Sequence, residues 1–131
     1  MSEVGTPTVG EILREAEAVL AAAGVPTPKG DAQWIAAHVL GTSRTMLLAH
    51  TADAVPAERA EHLESLIARR AAREPLGYVL GTVNFRGLVI EVGPGVFVPR
   101  QETEVTAERA IGRARERGPR PCVVDVGTGS G

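Results

Sequence analysis

The residues whose types and spacing could do chemistry lie in Asp125–Gly131, which reads DVGTGSG. After the acid and a valine, glycines alternate with small hydroxyl residues: Gly127, Thr128, Gly129, Ser130 and Gly131. Glycine permits positive φ angles and lets a ligand lie against bare backbone. Dinucleotide-binding enzymes prefer the spacing Gly-x-Gly-x-x-Gly, which is absent from this segment. The segment therefore predicts a cofactor-binding loop of another kind, with a plain glycine turn as the alternative.

The overall composition argues against several classes of protein. The 131 residues carry a formal net charge of −2, and 44% of them are hydrophobic. Because phosphate contacts require clustered lysine and arginine, this weak charge argues against DNA binding. No apolar run approaches the roughly 20 residues of a membrane span, and the acidic N-terminal segment does not resemble a signal peptide. We therefore expect a cytoplasmic protein that binds neither DNA nor membranes, and we expect it to be a monomer.

Residue types that bind metals or undergo redox chemistry are few and scattered. The single cysteine, Cys122, cannot form an intramolecular disulfide, and its place in an apolar run predicts that it is buried. His38, His50 and His62 lack close spacing and have no cysteine partners. A metal site is therefore not predicted.

Residues 8–73 have the pattern of a small helical bundle. Thr8 and Glu11 have the spacing of a capping box, in which each side chain satisfies a free amide at the helix start. Gly24 favours the end of this first helix. Between these signals, apolar residues recur on one face at the helical period: Val9, Ile12, Leu13, Ala16, Leu20 and Ala23.

Three further helices are predicted before residue 74. Residues 31–40 contain few polar side chains, so we place this helix at the centre of the bundle, with Trp34 and His38 facing the core. Ser43 favours the start of a third helix, and Pro56 favours the start of a fourth. Short amphipathic helices with brief connections form a bundle.

The pattern changes at Pro75, because the residue before a proline is displaced from helical geometry. Two β-rich runs then flank Arg86-Gly87 and predict a hairpin. Residues 101–118 favour a helix, and the apolar run CVVDV after it favours a strand of a parallel sheet. We therefore predict a helical domain, a hairpin connector and the beginning of an α/β domain, over residues 1–73, 74–98 and 99–131.

Two segments upstream of the glycines, together with DVGTGSG, resemble one family. The first segment carries Arg73, Pro75, Tyr78, Val79 and Gly81, and the second carries Val98, Pro99, Arg100, Glu102, Thr103 and Glu104. Their order is similar to the R-x-P-x-x-Y-[IL]-x-G, [IV]-P-R-P-[ED]-T-E and D-x-G-T-G-[ST]-G segments of the HemK-type release factor glutamine methyltransferases. Gln101 stands where that family usually has proline, and we expect a less rigid backbone there rather than loss of the site.

The resemblance covers essentially the whole chain and implies a fold, a cofactor and a substrate. The fold would be mainly α: an N-terminal helical bundle, a β-hairpin connector and the beginning of a Rossmann-like α/β methyltransferase domain. The cofactor would be S-adenosyl-L-methionine, and the substrate would be the glutamine of the Gly-Gly-Gln motif in class 1 peptide chain release factors. The implied cofactor-binding residues are Phe97, Arg100, Asp125, Gly127, Thr128, Gly129, Ser130 and Gly131.

The family's Asn-Pro-Pro-Tyr segment, which holds the substrate amide, does not occur in these residues. No catalytic residue is therefore assigned to this chain. We expect residues 1–131 to be the N-terminal part of a longer methyltransferase. Alone, they are expected neither to bind the cofactor tightly nor to transfer a methyl group, and to act at most as a partner-binding module.

Several alternatives remain open at this stage. The substrate could be a glutamine of a ribosomal protein or adenine in DNA, or the chain could be a non-catalytic helical module; the glycine spacing disfavours a nicotinamide-dependent oxidoreductase. Arg100 could form a surface ion pair with Glu102 or Glu104, and Phe97 could be a core residue of the connector. The arginines after residue 112 favour a solvated helix end over a contact with a release factor or ribosomal RNA.

Overall fold

The computed structural model describes residues 5–131, which form two compact units, the first ending at Leu80 and the second beginning at Gly81. The first unit contains α1 (Val9–Ala22), α2 (Pro28–Leu40), α3 (Arg44–Ala49), α4 (Ala57–Ala71) and α5 (Leu76–Leu80). The second unit contains β1 (Thr82–Phe85), β2 (Leu88–Glu91) and α6 (Gln101–Glu116). Across residues 5–131, no helix is both long enough and apolar enough to cross a bilayer.

Helix α1 begins with the predicted capping box. The Thr8 hydroxyl accepts a hydrogen bond from the Glu11 amide at 3.3 Å, and the Glu11 carboxylate accepts one from the Thr8 amide at 2.8 Å. Both bonds satisfy amides that have no partner inside the helix. The helix then buries the predicted face, with four buried residues: Val9, Ile12, Ala16 and Leu20.

Replacing Thr8 by alanine is expected to lower the free energy of unfolding by about 1 kcal/mol, because the Glu11 amide loses its acceptor. Urea denaturation followed by circular dichroism measures this change. Thr6→Ala is the matched control, because Thr6 is exposed and lies before the helix. Equal effects of the two substitutions would contradict a stabilising cap.

Acidification is expected to weaken the same cap. The hydrogen bonds from the backbone amide and the side chain of Thr8 lower the pKa of Glu11 below its ordinary value. A group with a lowered pKa in the folded state stabilises the fold above its unfolded pKa, and the stabilisation disappears as the pH falls through the folded pKa. Urea midpoints of wild type and Glu11→Gln should therefore differ at pH 7 and converge in acid.

The start of α1 and the residue Pro7 before it are hydrogen-bonded to the connection between α3 and α4. The Gly10 amide donates to the Thr51 carbonyl at 2.8 Å, and a side chain at Gly10 would place its Cβ 3.2 Å from that oxygen. Two neighbouring backbone bonds extend this contact, from the Val9 amide to the Asp53 carbonyl and from the Val55 amide to the Pro7 carbonyl. These backbone bonds therefore join residues 7–10 to residues 51–55, which are distant in sequence.

Helix α2 is the central helix, as predicted, and it contacts α1, α3, α4 and α5. It ends at Gly41, whose φ of 66° is left-handed. The prediction that Trp34 and His38 face the core is wrong, because both are exposed, Trp34 by 49%. Positions 34 and 38 are one turn apart and therefore lie on the same side of α2, and this side is exposed while the rest of the helix is largely buried.

A buried ion pair joins the start of α2 to the end of α4. Arg70 Nε lies 2.7 Å from Asp31 Oδ2, and the two side chains are only 14% and 7% exposed. The other carboxylate oxygen, Asp31 Oδ1, accepts a hydrogen bond from the Thr27 hydroxyl at 2.9 Å. Arg70 Nη1 also donates to the Glu74 carbonyl at 3.0 Å. The pair is therefore part of a network in which both charged groups have further hydrogen bonds.

The first unit extends beyond residue 73, where we predicted the end of the helical domain. Helix α4 ends at Ala71, and four residues later the Pro75 carbonyl accepts hydrogen bonds from the Tyr78 and Val79 amides and starts the short helix α5. This helix buries Gly77 and Val79 and contacts α2 and α4. Proline lacks a donor but keeps its acceptor, so it can begin a helix.

The predicted hairpin is confirmed in the second unit. Strands β1 and β2 pair antiparallel, with Phe85 opposite Leu88. Arg86 and Gly87 form the turn with φ angles of 49° and 77°, and two positive values are typical of a type I′ turn. Glu104 Oε1 accepts a hydrogen bond from the Arg86 amide at 3.0 Å, so the turn is connected to the first part of α6.

The predicted strand after α6 is not present in the structure. Residues 121–125 have no strand pairing, and Cys122, expected to be buried, is exposed. A strand is stabilised by hydrogen bonds to a neighbour, and within residues 5–131 β1 and β2 pair only with each other. The beginning of a Rossmann-like domain therefore remains a prediction.

Candidate cofactor-binding segment

The glycine segment forms a bare loop with left-handed backbone at alternate positions. The φ angles of Gly127, Gly129 and Gly131 are 73°, 61° and 94°, and the Gly131 amide donates to the Thr128 carbonyl at 3.1 Å. A Cβ atom added at any of these glycines would find no atom within 4 Å in the described residues. These angles are ones that residues with side chains rarely adopt. The loop can thus offer backbone directly to a ligand.

The other predicted cofactor residues in the second unit are exposed. Phe97 is 81% exposed, so the alternative of a connector core residue is not supported. Arg100 is the N-cap residue of α6, and within the described chain it forms no ion pair with Glu102 or Glu104. Asp125 is also exposed. Among the described residues, no hydrogen bond or ion pair joins Phe97 or Arg100 to the loop, so their grouping into one site remains a prediction.

The charged residues of helix α6 are distributed along it as the helix dipole favours. Glu102 and Glu104 lie in its first turn, and Arg113 and Arg115 lie in its last. None of its residues is buried, so the weak apolar stripe expected here does not face a core within the described residues. The helix ends before Gly118, whose φ is 107°.

A feature that sequence reasoning missed lies on the helical unit. The Arg44 guanidinium carbon is 4.9 Å from the centre of the Trp34 ring, and Arg44 Nη2 donates to Gln33 Oε1 at 2.7 Å. Gln33 is buried, although glutamine in a helix usually faces solvent. Arg44 lies across a helix connection from both partners, so no periodic signal could have indicated the contact.

Comparison with known proteins identifies the helical unit. The family described as the PrmC N-terminal domain matches residues 11–81, which include all five helices of the first unit except the first two residues of α1. This match is consistent with the N-terminal helical domain predicted from the sequence.

Curated relatives match most of the chain, and they are named release factor glutamine methyltransferases. The relative from Corynebacterium glutamicum is 46% identical over 95% of this chain and 43% of its own length. Those from Mycolicibacterium smegmatis and Streptomyces coelicolor are 44% and 47% identical, over 91% and 86% of this chain. The chain spans about two-fifths of the length of these relatives, at 43%, 41% and 39%. It belongs to the PrmC-type family of release factor glutamine methyltransferases, whose N-terminal domain it contains.

Proposed function

We propose that the complete enzyme to which these residues belong transfers a methyl group from S-adenosyl-L-methionine to the N5 atom of the glutamine in the Gly-Gly-Gln motif of class 1 release factors. The observation that carries this proposal is the match of residues 11–81 to the PrmC N-terminal domain. The left-handed glycines of Asp125–Gly131 support it, because a bare loop suits a cofactor that lies against backbone. The protein would act as a monomer in the cytoplasm.

We infer that three successive segments of the chain have different functions. Residues 1–73 recognise the release factor, residues 74–98 connect, and residues 99–131 begin the Rossmann-like methyltransferase domain. The structure differs from this division in one respect, since its first unit continues to Leu80. Only Gly81 separates helix α5 from the first strand of the hairpin in the sequence.

Bound S-adenosyl-L-methionine supplies an electrophilic methyl group on a sulfonium. The residues of this chain would bind and orient the cofactor. The backbone of Gly127–Gly131 would hold its methionine part, and Asp125, Arg100 and Phe97 would border the site. Because the lone pair of an amide nitrogen is delocalised, positioning and electrostatic stabilisation carry most of the rate. The groups that hold the substrate amide lie outside residues 1–131, so no catalytic role is assigned to a residue of this chain.

A chimaera tests the proposal. Residues 1–131 are joined to the remainder of the Corynebacterium glutamicum relative, and the product is incubated with purified release factor and radiolabelled cofactor. We expect methylation of the Gly-Gly-Gln glutamine, which peptide mass spectrometry locates. A release factor with that glutamine changed to alanine is the control. A folded chimaera that binds the cofactor but methylates a ribosomal protein instead would overturn the assignment.

The isolated chain is expected to be inactive in the same assay. Its glycine loop has no covering element among the described residues, so a cofactor there would remain largely in water. Sites that hold small molecules tightly bury most of the ligand surface. Calorimetric titration should therefore detect no micromolar binding, and such binding would show that these residues form a complete site.

A further inference from the structure

A groove lies between α1 and α4 on the surface of the helical unit, with a volume of about 290 Å³. Its lining includes four buried apolar side chains, two from each helix: Ile12, Ala16, Leu63 and Ile67. Val19, which is 47% exposed, and the exposed Ala68 also line it. Small side chains on both helices thus leave apolar surface in contact with water, and covering it would be favourable.

Two carboxylates also line this groove, Glu15 from α1 and Glu64 from α4. Both are exposed, and within residues 5–131 neither forms a hydrogen bond or an ion pair. The groove therefore combines an apolar lining with unpaired negative charge contributed by both helices.

No lysine or arginine lines the groove, and within residues 5–131 none forms an ion pair with Glu15 or Glu64. Of the arginines of α4, Arg59 donates to the Val39 carbonyl. Arg69 pairs with Glu74, and Arg70 pairs with Asp31. The negative charge at the groove is therefore available to a partner, and a matching surface would carry lysine or arginine.

We propose that this groove docks a cationic amphipathic helix of a partner protein. Aliphatic side chains of that helix would cover Val19 and Ala68, and its basic side chains would meet Glu15 and Glu64. A helix fits better than an extended segment, because α1 and α4 offer no free backbone edge with which a strand could pair. The inference goes beyond methyl transfer, since it concerns binding by the helical unit alone.

The test uses the 131-residue chain and a synthetic helical peptide of about 16 residues with a leucine stripe and flanking lysines. Calorimetry measures its affinity for wild type, for Glu15→Lys/Glu64→Lys and for Glu17→Lys/Glu61→Lys. The last variant is the matched control, because it makes the same charge change on the same helices outside the groove. We expect the groove variant to bind at least about tenfold more weakly than the control.

Two further measurements separate a groove from general attraction to an acidic surface. Ala68→Phe fills the groove without a change of charge and should also weaken binding. A peptide with serine in place of leucine should bind much more weakly to wild type. Circular dichroism verifies that each variant is folded. The proposal would be overturned if the two charge variants bound the peptide equally well, or if wild type bound the serine and leucine peptides equally well. Sedimentation showing a dimer that buries the groove would also overturn it.

Discussion

The substitution Asp31→Ala is expected to destabilise the helical unit by about 3–5 kcal/mol. The change leaves the guanidinium of Arg70, only 14% exposed, without the carboxylate that lies 2.7 Å from it. It also removes the acceptor of the Thr27 hydroxyl. Because domains of this kind have a total stability of about 5–15 kcal/mol, much of the helical unit's stability would be lost. Urea denaturation measures the change, with the fluorescence of Trp34 as the signal.

The neighbouring pair Arg69–Glu74 provides the control. Its side chains are 44% and 28% exposed, so solvent screens the attraction and Glu74→Ala should shift the urea midpoint little. Asp31→Asn separates charge from shape, because asparagine retains the size of the side chain and an acceptor for Thr27. If Asp31→Asn unfolds at the wild-type midpoint, the charge of Asp31 contributes nothing and the expectation is wrong.

In the chimaera, Gly129→Ala is expected to lower methyl transfer by about 10–100-fold. Gly129 has a φ of 61°, a conformation that costs a residue with a Cβ roughly 1–2 kcal/mol. Since about 1.4 kcal/mol corresponds to a factor of ten, this strain makes the loop conformation that we propose binds the cofactor about tenfold less populated. The added methyl group also occupies the backbone surface against which we propose the cofactor lies. Initial rates at saturating release factor measure the loss.

A glycine outside the loop distinguishes strain from loss of the site. Gly118 has a φ of 107° at the end of α6, and its Cβ would likewise meet no atom within 4 Å. Gly118→Ala should lower thermal stability but leave the rate per folded molecule near that of the parent. Equal rate losses in the two variants would mean that the loop has no special part in cofactor binding.

The helical unit could be predicted from sequence where a signal was local. The capping box at Thr8 and the Ser43 cap of α3 each depend on neighbouring residues. The Arg86-Gly87 turn is of the same kind, since its geometry is set within the turn itself. For these elements the residue types determine the backbone almost without tertiary information.

The remaining features depend on partners that a sequence pattern does not specify. Helix α5 is stabilised by packing on α2 and α4, and Trp34 is exposed because the neighbouring helices pack on other sides of α2. The apolar residues Val123, Val124 and Val126 have strand character, but a strand needs a neighbour. The candidate site is predicted least well. The positive φ angles of its glycines follow from the residue type, but whether Phe97 and Arg100 lie beside the glycine loop depends on tertiary contacts.

The backbone bonds from Val9 and Gly10 to residues 51–53 set an order of events during synthesis on the ribosome. Helix α1 is made first, yet its start has nothing to dock against until more than forty further residues have been added. At about 5–20 residues per second, that delay is on the order of seconds, far longer than a helix needs to form. The start of the nascent α1 must therefore remain without these backbone partners for that time, although α2, on which α1 packs, has already been made.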